Sequence, residues 1–140
     1  MKTSEKEAVR WIRQSEDDFK FVQWVLSGNA YFDKGCFIAQ QAGEKALKAC
    51  PYALGRRSVI GHSLFELSNE LSQKDSRFSP LMDAAKQLDR FFIPTRYPNG
   101  IPGGSPFQVF DRQDLEKALD ALEQVMVVCR GLLAKKGISY

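Results

Sequence analysis

The chain has one histidine, His62, and it stands in a short segment with Arg56 and Arg57. Imidazole gains and loses a proton near neutral pH, and guanidinium is a permanently charged planar fork that matches phosphate oxygens. Arg57 and His62, with four residues between them, therefore hold the parts for metal-free work on a phosphate, the ring as proton acceptor and the fork as charge stabiliser. The plainer reading puts His62 just before a helix cap, packed toward Leu67 as a hydrophobic staple, with Arg56 and Arg57 as solvated charges.

Arg96 is a second candidate. It falls between an expected helix end and Pro98, which restricts its fork, and Tyr97 beside it could stack on a base. Alternatively Arg96 pairs with an acid such as Asp89 or Glu44 while Tyr97 packs back on the protein, or both serve a dimer contact. A third candidate is a row at helical spacing, Phe37, Gln41, Glu44 and Lys48, with Gln40 and Lys45 beside it. The row either faces a ligand or forms a partly buried polar network, Glu44 and Lys48 having the spacing of an i,i+4 ion pair. Trp11, Phe19, Trp24 and Phe37 read as core or dimer-interface residues.

Other chemistries lack their parts. Cys36, Cys50 and Cys129 are odd in number and widely separated in apolar surroundings, which points to reduced, buried thiols and a cytoplasmic setting. With one histidine and no CxxC, no metal site is expected, and no glycine cluster follows a strand, so no cofactor is expected either. No stretch of eighteen apolar residues occurs and the first fifteen residues are charged throughout, so neither a membrane span nor a secretory leader is expected. A net charge of +3 permits an anionic partner without requiring one.

The elements that must position these residues are helices. Ala8, Ile12, Ser15, Phe19, Val22 and Leu26 recur at intervals of three and four, predicting a helix over Thr3 to Ser27, with Ser4 and Glu7 at capping-box spacing and Gly28 as a stop. A second helix is predicted from Ala30 to about Ala49, ended by Pro51. Ser63 and Glu66 open a third, carrying Leu64, Leu67 and Leu71. Ser79 and Pro80 read as cap and first residue of a fourth, with Leu81, Ala85, Leu88 and Phe92 on its face and Pro94 beyond it. Asp111 caps a last helix that carries Leu115, Leu119, Leu122, Met126, Cys129 and Leu133. The pattern predicts an all-α protein, an antiparallel up-and-down bundle of four to five helices, in a single domain over residues 1–140. Between Ile93 and Phe110, four prolines and three glycines predict a non-helical loop long enough to ask for a function.

Several short sequences share an order. Ala8 and Trp11 are followed by Gly28 to Tyr31, by Phe37, Gln40, Gln41, Glu44, Lys45 and Lys48, by His62, Ser63, Leu64 and Leu67, and by Thr95, Arg96, Tyr97 and Pro98. In this order the chain resembles the HEPN domain family, small helical proteins of prokaryotes and eukaryotes. The resemblance implies a HEPN-like bundle, a homodimer, and association with nucleotide or RNA biology, in many bacterial members beside a minimal nucleotidyltransferase as toxin and antitoxin. It makes Thr95, Arg96 and Tyr97, with Gln41, Glu44 and Lys48, the ligand-binding candidates. Many ribonuclease members carry an arginine and a histidine four to six residues apart, as Arg57 and His62 are, but usually near the last helices, whereas this pair precedes the third. The leading expectation is therefore a non-catalytic module for nucleotide or RNA phosphates. Alternatives are a metal-independent endoribonuclease toxin using His62 and Arg57, and a purely structural dimerisation or scaffold module.

Overall fold

The structure is a computed structural model that describes residues 1–140. Six α-helices follow one another: α1 (Thr3–Leu26), α2 (Phe32–Ala53), α3 (Leu64–Ser72), α4 (Met82–Asp89), α5 (Pro106–Val109) and α6 (Arg112–Lys135), with 3-10 turns at Ser76–Leu81 and Pro98–Gly100. The sixth helix, beyond the four or five predicted, is α5. It lies inside the segment expected to be non-helical, because Pro106 suits a first helical position and Ser105 with Gln108 closes a capping box around it.

Helix α2 is the axis of the bundle. It packs against α1 and α6 and also touches α3, α4 and α5. Its sequence allows this because small residues face most directions: Ala39, Ala42, Ala46 and Ala49 are fully buried. Gly35 and Gly43 let neighbours come closer than a methyl group would permit. A Cβ at Gly43 would lie 2.6 Å from the Cδ2 of Leu64, and one at Gly35 would lie 2.9 Å from the Cδ1 of Leu115. A helix buried nearly all round reads this way in sequence. The stripes of α1 and α6 both close on α2, so one apolar core joins Ile12, Leu47, Leu64, Leu88, Leu122 and Met126. Ser15 sits in that core with its hydroxyl donated to the carbonyl of Ala42 at 2.6 Å, which removes the cost of burying it.

The helix ends are tied by polar residues. Arg112, at the start of α6, donates to the carbonyls of Leu26 (2.6 Å) and Gly28 (2.5 Å), holding the end of α1 to the start of α6. Asp111 caps α6 as expected, accepting from the amide of Asp114. At the other end Gly137 adopts φ 72°, which lets the amide of Ile138 reach the carbonyl of Leu133 at 3.0 Å and close the helix. Arg130 of α6 pairs with Glu16 of α1 and holds its carboxyl below the usual range.

Four local expectations are corrected. Lys2, not Ser4, precedes α1, and Ser4 lies inside the first turn where its hydroxyl does not cap. Helix α2 starts at Phe32, not Ala30, after Tyr31 in the left-handed region, and runs through Pro51 to Ala53. In the last turn the proline forfeits one hydrogen bond, and burial of Tyr52 and Ala53 carries the helix on. The fourth helix is preceded by a 3-10 turn capped by Asp75, whose carboxylate accepts from the amide of Arg77, so Ser79 and Pro80 lie within that turn. Helix α4 ends at Asp89, the periodicity lapses there, and Phe91, not Phe92, enters the core.

Candidate functional site

The expected site residues fall into two groups. Along one side of α2, Glu44 is buried, 5% exposed, and one of its oxygens, Oε2, meets the ammonium of Lys48 at 3.0 Å. Lys48 lies over the Trp11 ring at 5.3 Å, and Trp11 stacks on Tyr52. The other oxygen of Glu44, Oε1, has no hydrogen-bond partner, and the Nδ1 of His62 stands 3.4 Å from it. The polar row is thus a buried ion pair that ends on the histidine.

His62 is held from three sides and open on the fourth. Its carbonyl accepts from the Nε2 of Gln40 at 3.0 Å, and Gln40 in turn accepts from Gln41 at 2.8 Å. Its ring stacks on Phe92 with centroids 5.4 Å apart and planes 20° from parallel. Yet 69% of the side chain remains accessible. The ring that His62 packs on is Phe92. Ser63 caps α3, accepting from the amide of Glu66. Asp89 grips the same helix start, accepting from the amides of Leu64 (2.8 Å) and Phe65 (3.0 Å) and from the hydroxyl of Ser63 (2.9 Å). A carboxylate at a helix N-terminus is stabilised by the unpaired amides there.

Arg96 shares Phe92 with His62. Its guanidinium lies 4.6 Å from the centroids of both Phe37 and Phe92 and 5.3 Å from that of Tyr97, and its Nε donates to the carbonyl of Phe92 at 2.8 Å. Neither Asp89 nor Glu44 pairs with it, since the first is bound to α3 and the second lies between Lys48 and His62. The two terminal nitrogens of the fork meet no protein acceptor. A guanidinium packed among rings keeps its charge in a fixed place with little side-chain entropy left to lose on binding. Tyr97 is half exposed. Thr95 is buried and its hydroxyl is donated to the carbonyl of Phe91, so it shapes the turn that presents Arg96. On the far side of Arg96 a groove of about 470 Å³ opens between Phe37 and Ile38 of α2 and Pro106 and Phe107 of α5, with Lys34 at its edge.

Arg57 stands apart. It is exposed and lines a hollow with Thr3, Glu7 and Tyr52, and no hydrogen bond joins it to His62. The guanidinium that meets the same ring as His62 is that of Arg96. Phe92, read from periodicity as core, is the residue that joins the two halves of the site. Its spacing of four from Arg96 was the available signal, obscured by Pro94 between them. The thiols offer no nucleophile, since all three cysteines are buried and free and burial pushes those of Cys36 and Cys50 well up. No three metal-ligating side chains gather anywhere, and no helix is long and apolar enough to cross a membrane.

A helical bundle with an ordered aromatic and basic turn before its last helix defines the class. The HEPN domain model matches residues 8–135, and the chain belongs to the HEPN domain family. Among solved structures it is similar to TT1696 from Thermus thermophilus, at 34% identity and TM-score 0.83 over 90% of this chain and 98% of that one. It is also similar to ST0689, an archaeal HEPN homologue, at 27% identity and TM-score 0.71 over 94% of this chain and 98% of that one. A HEPN domain protein (TM0613) from Thermotoga maritima is 28% identical, with TM-score 0.71 over 90% of this chain and 98% of that one. No curated protein sequence matches significantly.

Proposed function

We propose that this HEPN-domain protein binds nucleotide or RNA phosphates at the turn carrying Arg96 and Tyr97, with His62 beside them, as a homodimer in the cytoplasm. The observation that carries the reading is the Arg96 guanidinium, fixed by three rings and a carbonyl and left without a carboxylate. Its free fork suits phosphate oxygens, the exposed ring of Tyr97 can stack on a base, and His62 supplies a further donor or acceptor. Gln41, Glu44, Lys48 and Thr95 build this site from within. Family membership supports a minimal nucleotidyltransferase as partner, in the manner of a toxin and its antitoxin. Calorimetric titration with ATP, GTP and a short single-stranded RNA should give binding in the wild type that is lost in Arg96→Ala. Absence of heat with every ligand would remove the proposal.

A second reading, metal-independent ribonuclease activity, is favoured by one observation, the exposed imidazole with its Nδ1 facing a buried carboxylate. The geometry gives Arg57 no part in it and makes Arg96 the nearer charge stabiliser. RNA cleavage in EDTA that disappears in His62→Ala and persists in Arg57→Ala is the result this reading requires. Equal inertness of wild type and His62→Ala at high protein concentration rejects it.

A further inference from the structure

Glu44 carries one unsatisfied oxygen, and an unpaired buried acceptor of this kind costs free energy unless something donates to it. Lys48 stands 3.0 Å from Oε2 and leaves Oε1 open. The Nδ1 of His62 stands 3.4 Å from Oε1, on a ring whose position is already set by Phe92 and by the Gln40 bond to its own carbonyl. A neutral imidazole has one N–H and one bare nitrogen, and which is which follows from the hydrogen bond that one of them makes.

We infer that Glu44 is a positioning residue for His62, holding the ring as the Nδ1–H tautomer so that Nε2 is the bare nitrogen presented to solvent and ligand. This deepens the phosphate-site reading, on which its functional meaning rests: the outward atom of His62 is an acceptor when the ring is neutral and a second cationic donor beside Arg96 when it is protonated. It also accounts for a charged pair built into the apolar side of α2. Lys48 holds Oε2, Glu44 orients His62 through Oε1, and the buried pair thereby reaches the surface through an exposed ring. Lys48 and Glu44 are positioning residues in this arrangement because neither is accessible to a ligand.

Because the chain has one histidine, nitrogen-15 spectra of the imidazole contain a single ring. At a pH where the ring is neutral, the wild type should show a protonated Nδ1 and a bare Nε2, and inorganic phosphate added at lower pH should perturb Nε2. In Glu44→Gln the carboxamide oxygen turns to Lys48 and its NH₂ donates to the ring, so the Nε2–H tautomer should take over. A wild-type ring that is mainly Nε2–H overturns the inference, as does a folded Glu44→Gln protein that keeps Nδ1–H. The wild-type spectrum decides the tautomer even should the variant fail to fold. A wild-type ring fixed as Nδ1–H that answers neither phosphate nor nucleotide confirms the positioning role and counts against the phosphate site instead.

Discussion

The guanidinium of Arg96 lies 4.6 Å from the ring of Phe92, the same ring on which His62 stacks. One aromatic side chain thus holds two groups that stand 34 positions apart in the chain, one before α3 and one after α4. On the proposed phosphate site, Phe92 is the common support of the fork and the imidazole, and its packing holds both in place before a ligand binds.

Replacing Phe92 should therefore damage binding more than stability. Phe92→Leu keeps an apolar side chain at a half-buried position, so folding should fall by about 1 kcal/mol or less. Affinity for the short RNA should fall several-fold, because the fork and the imidazole lose their common support. Chemical denaturation and calorimetry on the same preparation separate the two effects.

The Glu44 and Lys48 pair should behave as a buried ion pair. Lys48→Ala leaves the carboxylate buried beside an exposed histidine and should destabilise by about 3–5 kcal/mol. Glu44→Gln combined with Lys48→Met removes both charges and should recover much of that loss. Urea midpoints at unchanged slope are the measure, and a double variant as unstable as Lys48→Ala would show that the charges are not coupled.

Asp89 holds the start of α3 through three acceptor contacts. Asp89→Ala should cost about 1–3 kcal/mol. Amide exchange at Leu64 and Phe65 should quicken more than at Leu122, and binding should weaken because His62 precedes that helix start directly.

Acid should act partly through Glu16. Arg130, by a hydrogen bond and by its charge, lowers the Glu16 pKa from its ordinary value of 4.5. A carboxyl with a depressed folded value stabilises the fold above its unfolded value, and that contribution is lost as pH falls through the folded one. Stability should thus decline below about pH 4.5, and the decline should be shallower in Arg130→Met, read from thermal midpoints at successive pH values.

The homodimer proposal is tested at the exposed aromatics around the α1–α2 turn, where Trp24 packs on Phe21 with ring centroids 6.0 Å apart and the exposed Tyr31 ring lies under the Lys34 ammonium at 5.9 Å. Exposed rings grouped in this way are common at protein interfaces. Trp24→Glu should convert a dimer to a folded monomer in light scattering, and a wild type already monomeric at high concentration would end the idea.

The sequence carried the bundle through features that act over short distances. Ser63 and Asp111 cap the helices predicted for them because a cap needs only a side-chain oxygen and an amide two or three residues on. Pro51 misled because its effect depends on whether burial rewards a further turn, which no local pattern states. The candidate site was legible as residue types, Arg96, His62 and Glu44 among them, but its connections were not. Glu44 meets His62 across eighteen positions and Arg96 meets Phe37 across fifty-nine, and contacts of that span follow from packing and not from spacing. The pairing of Arg57 with His62 was suggested by closeness in sequence, yet Arg57 lines a hollow with Thr3, Glu7 and Tyr52 while the His62 ring stacks on Phe92.

If Arg96 and His62 form one phosphate site over Phe92, a double-mutant cycle on RNA affinity reads their coupling. Wild type, Arg96→Ala, His62→Ala and the double variant are titrated with one short single-stranded RNA at fixed salt. Coupled residues should give a double variant that loses clearly less affinity than the sum of the two single losses. Strictly additive losses, or a wild type that does not bind, would contradict a shared site.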